Sequence, residues 1–519
     1  MTATSAEAPR PTAARAIPLR TGPAFALAAL TGIVYFLGFP GVNLWPLAFI
    51  AQAPLIIALR GQAPKRAAAL GLVMGTVMSI FGFYWLLEML KVFSGFPLPL
   101  CALLALLVCA QQGGRGALCG YLHARAEARG WPAAPVFVLA FIASELAYPV
   151  LFPWFFGASV HNAPIFLQVA DLGGAYLIGA VLLGTNVALA ELVLARLEAR
   201  PISRLTLGLG LAAPALAALY GFVQMRRIDA RSAQAPAVKI GIAQGNQPLL
   251  GKTNAVETHL KLTRELRERG AELVVWSEDA VPLNFREAEY ADQAKRELTG
   301  LLGVPAIVGA GIIKKSDRGH IYYNTAFFAD RDGTILGRYD KHYLLAFGEY
   351  LPLGETFPIL YDWSRNSGHL APGTSLAPLV WGDHRISTII CYEDILPSFV
   401  NDVVHAGDPD LLVNITNDAW FGDTTEPWEH FALAQIRAVE HRRYLVRATN
   451  SGVSGIVDAA GRLVLHGGTF KQEALLGEAR FLRAKTGYEL WGDIPFWLGT
   501  IAVVAMGFVP RRKKVPATA

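Results

Sequence analysis

The chain has 519 residues, 53% of them hydrophobic and only 17% charged, with a mean hydropathy of +0.36. Soluble globular chains carry nearer one quarter charged residues, so composition excludes an ordinary soluble protein. The net charge of +5 sits mainly in short segments between apolar stretches, which argues against nucleic-acid binding and for a membrane topology.

Residues 1–20 form a tail with Arg10, Arg15 and Arg20. Residues 21–224 hold seven apolar stretches, centred near residues 31, 51, 79, 103, 145, 182 and 213. Several reach the ~20 residues needed to cross ~30 Å of hydrocarbon. The first is not a cleavable signal, because no small-residue cleavage site follows it and apolar stretches continue immediately. The first two are short, and Pro40-Gly41-Val42-Asn43 between them predicts a tight helical hairpin.

Basic residues mark alternate connections: Arg60, Lys65 and Arg66, then Arg115, Arg125 and Arg129, then Arg196, Arg200 and Arg204. The connections between these carry Lys91 at most. Basic segments stay in the cytoplasm, so the first tail is cytoplasmic. Seven crossings then deliver residues 225–488 to the periplasmic side of a bacterial inner membrane. One more span within residues 489–510 returns the chain to a cytoplasmic tail, 511–519, with Arg511, Arg512, Lys513 and Lys514.

Carboxylates inside or beside spans are costly, which makes Glu88 and Glu145 candidates for function; a hydrogen bond between packed helices is the ordinary alternative. Phe152-Pro153-Trp154-Phe155-Phe156 has the composition of an aromatic belt at a membrane interface. Cys101, Cys109 and Cys119 lie in or beside one apolar stretch and Cys391 stands alone in the polar region. That spacing gives neither a disulfide framework nor a metal site.

From residue 237 short β-branched runs alternate with helical segments. Val238 to Ala243, Leu273 to Trp276, Ala306 to Ile313, Thr325 to Phe328, Ile386 to Cys391 and Leu411 to Ile415 read as strands. Asn254 to Arg269 and Glu429 to Arg442 read as helices. This alternation predicts a layered α/β domain with reactive residues at strand ends.

Three polar residues sit there: Glu278 after Leu273-Val274-Val275-Trp276-Ser277, Lys341 in Tyr339-Asp340-Lys341-His342, and Cys391 in Ile389-Ile390-Cys391-Tyr392-Glu393. Singly they have ordinary explanations: a surface acid, a solvated lysine, a core thiol. Together they have the parts of covalent acyl transfer. A free thiol with a pKa of ~8.5 is mostly protonated at neutral pH and needs a base, for which Glu278 is the candidate. Attack on a carbonyl creates an oxyanion, which Lys341 and the backbone N–H of Tyr392 are placed in sequence to stabilise.

These segments resemble the Glu, Lys and Cys motifs of the nitrilase (carbon–nitrogen hydrolase) superfamily, in the same chain order. The whole chain after residue 20 more closely resembles the bacterial apolipoprotein N-acyltransferases, membrane-bound members of that superfamily. The likeness rests on Trp276-Ser277-Glu278-Asp279-Ala280-Val281-Pro282, on Tyr339-Asp340-Lys341 with Phe347-Gly348-Glu349-Tyr350, on Asn414 to Asp423, and on Arg447 to Gly452. It implies an αββα sandwich beside a helical membrane bundle of about eight spans. It further implies Cys391 as nucleophile, Glu278 as base and Lys341 as oxyanion stabiliser, with Glu349 and Glu393 as supporting carboxylates. One departure concerns the stretch after Gln244-Gly245-Asn246. The family often has a functionally sensitive Trp there, whereas residues 247–253 contain no aromatic residue.

A membrane bundle suits this triad when the acyl donor is a lipid. The resemblance implies a two-step cycle. Cys391 takes an acyl chain from a phospholipid, and the α-amine of an amino-terminal diacylglyceryl-cysteine on a lipoprotein then takes it from the thioester. Trp420 and Phe421 suit a greasy lid that excludes water, or an anchor at the interface. The expected partners are the phospholipid, the lipoprotein and membrane lipids, acting on a monomer without metal or organic cofactor. A membrane-tethered nitrilase-type amidase and a transporter with an inactive soluble domain are the alternatives.

Overall fold

Long apolar runs dictate helices in the first 234 residues, because a backbone in hydrocarbon must satisfy its own hydrogen bonds. The computed structural model describes residues 18–249, 254–298, 300–316, 319–354, 356–363 and 368–511. Arg10 and Arg15, residues 250–253 of the stretch without an aromatic, and Arg512, Lys513 and Lys514 lie outside the described residues.

The helices of the amino-terminal region are α1 (Thr21–Phe36), α2 (Ala53–Leu59), α3 (Pro64–Gly82), α4 (Leu86–Ser94) and α5 (Leu98–Ala128). They continue as α6 (Ala133–Ala147), α7 (Pro164–Leu167), α8 (Ala170–Leu197) and α9 (Arg204–Gln234). Among the described residues, α5, α8 and α9 are long and apolar enough to cross a membrane, and α3 with α4 makes a fourth if a 62° bend counts as one span. Four further apolar segments, Thr21–Phe36, Trp45–Leu59, Ala133–Ala147 and Ile494–Phe508, are shorter. The count of eight therefore depends on these short segments, and by length alone it stops at four. The boundary expected at residue 225 falls inside α9, which continues to Gln234 before the first strand.

The stretch from Phe152 to Phe156 is not a lipid-facing belt. Phe152, Trp154, Phe155 and Phe156 are buried, because polar side chains of the bundle hold this loop by its backbone. Gln112 Nε2 donates to the Phe152 carbonyl at 2.7 Å and Arg115 Nη1 to the Trp154 carbonyl at 2.6 Å. The Phe156 N–H donates to Glu145 Oε1 at 2.8 Å. Glu145 thus makes the ordinary packing bond, while Glu88 is half-exposed and pairs with Lys91 at 3.3 Å.

The α/β region has strands β1 (Ala237–Gln244), β2 (Leu273–Trp276), β3 (Val281–Arg286), β4 (Ala306–Ser316), β5 (Gly319–Ala329) and β6 (Ile335–Asp340). Next come β7 (Leu379–Trp381), β8 (His384–Ile390), β9 (Leu411–Thr416), β10 (Tyr444–Thr449), β11 (Gly455–Val457), β12 (Leu463–His466) and β13 (Glu473–Arg480). One sheet runs β13-β1-β2-β4-β5-β6 with β3 also paired to β4; the other runs β12-β11-β10-β9-β8-β7. The pairs β1/β2, β2/β4, β8/β9 and β9/β10 are parallel. Every residue of β2, β9 and β10 is buried, as expected of parallel strands covered on both faces.

Ile240, Val275 and Phe328 of the first sheet pack on Ile390, Val413 and Val446 of the second. Helices α10 (Ala255–Glu268) and α11 (Tyr290–Leu298) cover the outer face of the first sheet. Following α12 (Ile359–Trp363), α13 (Pro397–Gly407) and α14 (Glu426–His441) cover the second. The result is an αββα sandwich.

Helix α14 also packs on the bundle, where Leu433, Ile436 and Val439 join the bundle's core. All its residues but Trp428 are buried. Just past it, Arg442 Nη2 donates to Asp171 Oδ2 at 2.7 Å at the start of α8. After β13 the chain re-enters the bundle through α15 (Gly487–Trp491) and α16 (Ile494–Phe508).

Candidate active site

The carboxyl ends of β2, β6 and β8 converge, and each delivers one of the expected residues. Glu278 lies two residues past β2, Lys341 directly follows β6 and Cys391 directly follows β8. The strand expected to include Cys391 stops at Ile390 because Cys391 turns into the left-handed region, at φ 52°, and opens a 3₁₀ turn through Ile395. A non-glycine residue there is strained, and such residues cluster at functional sites. The turn after β2 passes so close to β4 that a Cβ on Gly309 would meet the Ser277 carbonyl at 2.3 Å.

Lys341 is buried. Its Nζ lies 2.8 Å from Glu349 Oε1 and 3.5 Å from Glu278 Oε1. Asn324, on β5, donates to Glu278 Oε1 at 2.6 Å and to Glu349 Oε1 at 3.2 Å. Glu349 Oε2 accepts from the Leu345 N–H at 2.7 Å. Glu278, Lys341 and Glu349 thus form one bonded cluster.

Burial pushes the Glu278 carboxyl above its ordinary range; Lys341 opposes this and Glu349 adds to it. Burial works against the Lys341 ammonium, but Glu349 and Glu278 outweigh it and hold the lysine well above its ordinary value. Burial, then the charge of Glu278, raises the Cys391 thiol well above its ordinary range, against the pull of Lys341. At rest the thiol is neutral beside a carboxylate more basic than usual; the raised carboxylate favours thiol-to-carboxylate proton transfer, and the raised thiol opposes it.

The expected supporting residues fall into place around this cluster. Glu393 Oε1 accepts from the N–H groups of His342 (2.6 Å) and Tyr343 (3.0 Å). Its Oε2 accepts from the Ile390 N–H (2.7 Å) and the Tyr339 hydroxyl (2.9 Å). One carboxylate therefore clasps the cysteine turn to the segment carrying Lys341. The Tyr392 hydroxyl donates to the Leu151 carbonyl of the bundle at 3.0 Å.

Glu278, Lys341 and Cys391 share a cavity of about 390 Å³ whose walls come from both regions of the chain: Met89, Leu151 and Phe152 from the bundle, Leu345, Trp420 and Phe421 from the sandwich. Trp420 is partly buried. Phe421 is fully packed, its ring edge-on to Trp85 at 5.1 Å and to Phe152 at 6.3 Å. In this arrangement Phe421 is a packed wall of the cavity. Leu249 also lines the cavity, and two residues before it the Gln247 N–H donates to Asn450 Oδ1 at 2.7 Å.

Sequence reasoning missed Asn324 and a charged set behind the cysteine: Asp394, Asp418, His430 and Arg447. The available signal was a charge in an apolar strand, Arg447 within Tyr444-Leu445-Val446-Arg447-Ala448-Thr449. Asp418, Glu426 and His430 offer ligand atoms within 4.8 Å of one another. The Arg447 guanidinium already bonds both Asp394 and Asp418, so protein cations meet the charge of that set and a metal is poorly suited to it.

A carbon–nitrogen hydrolase family model matches residues 239–481, and a model of the apolipoprotein N-acyltransferase N-terminal domain matches residues 31–188. The chain is 32% identical to an apolipoprotein N-acyltransferase of Geobacter metallireducens, over 96% of this chain and 97% of that one. It is 31% identical to one of Azotobacter vinelandii, over 95% and 96%. Among solved structures it is similar to an amidase of the nitrilase superfamily from Nesterenkonia, at 21% identity, TM-score 0.36, over 50% of this chain and 95% of that one. A carbon–nitrogen hydrolase of Helicobacter pylori aligns at 17% identity and TM-score 0.37, over 50% and 94%.

Proposed function

Because the chain belongs to the apolipoprotein N-acyltransferase family, we propose that it moves a fatty acyl chain from a phospholipid, through a Cys391 thioester, to the α-amine of diacylglyceryl-cysteine on a lipoprotein. The observation that carries this reading is the shared cavity: the cluster of Glu278, Lys341 and Cys391 faces walls supplied by apolar residues of the bundle. A soluble amide needs no such wall, and an acyl chain does.

In the first half-reaction Glu278 takes the Cys391 proton and the thiolate attacks the ester carbonyl. The oxyanion accepts from Lys341 Nζ and the Tyr392 N–H, each donor supplying roughly 3–4 kcal/mol. Collapse breaks the ester bond, and the departing lysophospholipid alkoxide takes the proton back from Glu278. In the second, Glu278 deprotonates the incoming ammonium and the amine attacks the thioester at the same oxyanion site. Collapse breaks the C–S bond and releases the amide; the thiolate of Cys391 regains the proton from Glu278, which then takes the second proton of the former ammonium and passes it to solvent. Glu349 and Asn324 hold Lys341 and Glu278 in place throughout. The closed apolar walls keep water from the thioester.

In this reading residues 225–488 lie in the periplasm and both terminal tails in the cytoplasm, with α3 and α4 together forming one broken span and the four shorter apolar segments completing eight. The basic segments alternating with bare ones support that orientation. The test is transfer to a synthetic diacylglyceryl-cysteine peptide by the purified chain. Cys391→Ala and Cys391→Ser are expected to insert normally and to lose N-acylation, since a serine hydroxyl is far less acidic than a thiol. N-acylation at the wild-type level in either variant would sink the assignment.

A further inference from the structure

A second charged cluster lies behind the nucleophile, and the cycle above makes no use of it. His430 Nε2 meets Asp394 Oδ1 at 2.9 Å and Nδ1 meets Asp418 Oδ1 at 3.0 Å. Arg447 spans the same carboxylates, Nη1 on Asp394 and Nη2 on Asp418 at 3.2 Å. All four side chains are buried, and each comes from a different element: the Cys391–Ile395 turn, the Asp418–Phe421 turn, α14 and β10.

With a carboxylate at each ring nitrogen, His430 satisfies both contacts only as an imidazolium donating twice. Burial and Arg447 oppose that charge, but Asp394 and Asp418 carry its pKa up to about 10. Glu426, 3.9 Å from Nδ1, also faces the ring. Burial, then Asp418, pushes the Glu426 carboxyl well up, which keeps it neutral. The set is therefore a square of two anions and two cations. It reaches the nucleophile through one residue: Arg447 Nη1 donates to Asn414 Oδ1 at 3.0 Å, and Asn414 Nδ2 to the Cys391 carbonyl at 3.3 Å.

We propose that His430 is a positioning residue for acyl transfer: by joining Asp394 to Asp418 it fixes the Cys391 turn against the Trp420–Phe421 wall of the acyl cavity. The inference rests on the acyl-transfer reading. A displacement of about 1 Å at a reacting centre lowers rates about 100-fold. Among the ties on the cysteine turn, Glu393 reaches toward the segment of Lys341 and Asp394 toward His430 and Arg447, so the two carboxylates set opposite sides of the geometry.

The test uses the full chain in mixed micelles of phosphatidylethanolamine and phosphatidylglycerol, with His430→Gln, Asp418→Asn and the double variant. His430→Gln leaves the square one negative charge in excess, Asp418→Asn one positive charge in excess, and the double variant restores balance. Each single variant is expected to slow single-turnover lysophospholipid release about 30-fold or more, with half-saturating phospholipid within about threefold. The double variant is expected to recover about tenfold over either single one.

Iodoacetamide labelling of Cys391, read on its own peptide, supplies a measurement independent of acyl transfer. Excess negative charge disfavours the thiolate, so His430→Gln is expected to slow labelling, Asp418→Asn to speed it, and the double variant to return near the wild type. A His430→Gln rate within about twofold of wild type, or a double-variant loss equal to the product of the single losses, overturns the proposal. If His430→Gln does not fold, Asp418→Asn against the double variant decides the same question. A wild-type chain that releases no lysophospholipid would fail the acyl-transfer reading, and the signs of the labelling changes would still judge His430.

Discussion

On one side of Cys391, Lys341 faces two carboxylates, Glu278 and Glu349; on the other, His430 and Arg447 face two, Asp394 and Asp418. Both clusters are hydrogen-bonded, and all their side chains but the partly exposed Glu349 are buried; only the second has as many cations as anions. Burial is the largest cause that pushes Glu278 up; Lys341 opposes it and the excess carboxylate, Glu349, adds to it. Asp418 is the contrast: burial pushes it up, yet Arg447 and His430 hold it below its ordinary range. On the proposed reading, the imbalance suits the first cluster to proton transfer and the balance suits the second to holding the cysteine turn.

The harshest way to break the reactive side is Lys341→Met. It removes the proposed oxyanion donor and leaves Glu278 and Glu349 facing each other without a cation. Acyl-enzyme formation is expected to fall by ~10²–10³ at every pH, measured as single-turnover release of lysophospholipid. Full recovery at high pH would mean that the lysine mainly tunes the thiol.

Glu278→Gln sharpens the comparison by removing the excess carboxylate itself. The variant is expected to be slow at neutral pH and to speed up as pH rises, because the thiolate then forms without a base. Burial is the largest cause of the raised Cys391 pKa and survives the substitution, so recovery should begin above the ~8.5 of a free thiol. A rate that stays flat with pH would assign Glu278 a purely geometric role.

The smallest effect is expected from Glu393→Gln, because Glu393 makes no hydrogen bond to Glu278, Lys341 or Glu349 and feels Lys341 only through space. The new amide would face backbone N–H groups where Glu393 now accepts three of them. Leaving such donors unmet costs about 1–3 kcal/mol, which thermal unfolding would register, with the pH profile of lysophospholipid release unchanged in shape. A changed profile would mean that Glu393 belongs to the reactive cluster.

Glu278, Lys341 and Cys391 were legible in the sequence because each follows a strand, whereas Glu349 lies in a loop and was named only by the family resemblance. Leu273-Val274-Val275-Trp276 is a buried-strand run with a carboxylate just beyond it, and Ile389-Ile390-Cys391 is the same pattern with a thiol. Strand ends gather at one edge of an α/β domain, so separate motifs predict one site. The balanced cluster had no such signature. His430 lies 36 residues from Asp394, and Arg447 lies 53 from it; no periodicity joins them. Nor does α14 reveal that it is covered by a sheet on one face and the bundle on the other.

The bundle was misread for a related reason. Hydropathy records how apolar a segment is but not whether lipid or protein surrounds it, so the run from Phe152 to Phe156 passed for an interfacial belt. The polar side chains that hold it inside, Gln112, Arg115 and Glu145, sit on other helices. The bend between α3 and α4 was invisible for the same cause: it turns Trp85 inward to donate to Glu429 Oε2 at 3.2 Å, a partner from the far end of the chain.

The central claim is that the acyl chain passes through Cys391, and the mass of that residue's peptide tests it most directly. The purified chain would be incubated with phospholipids of defined acyl chains, quenched in acid and digested. The account predicts one fatty acyl group on Cys391, discharged when a diacylglyceryl-cysteine peptide is added before quenching, with the same acyl group then found on that peptide's α-amine. An unmodified Cys391 in a chain that still N-acylates the peptide would contradict it.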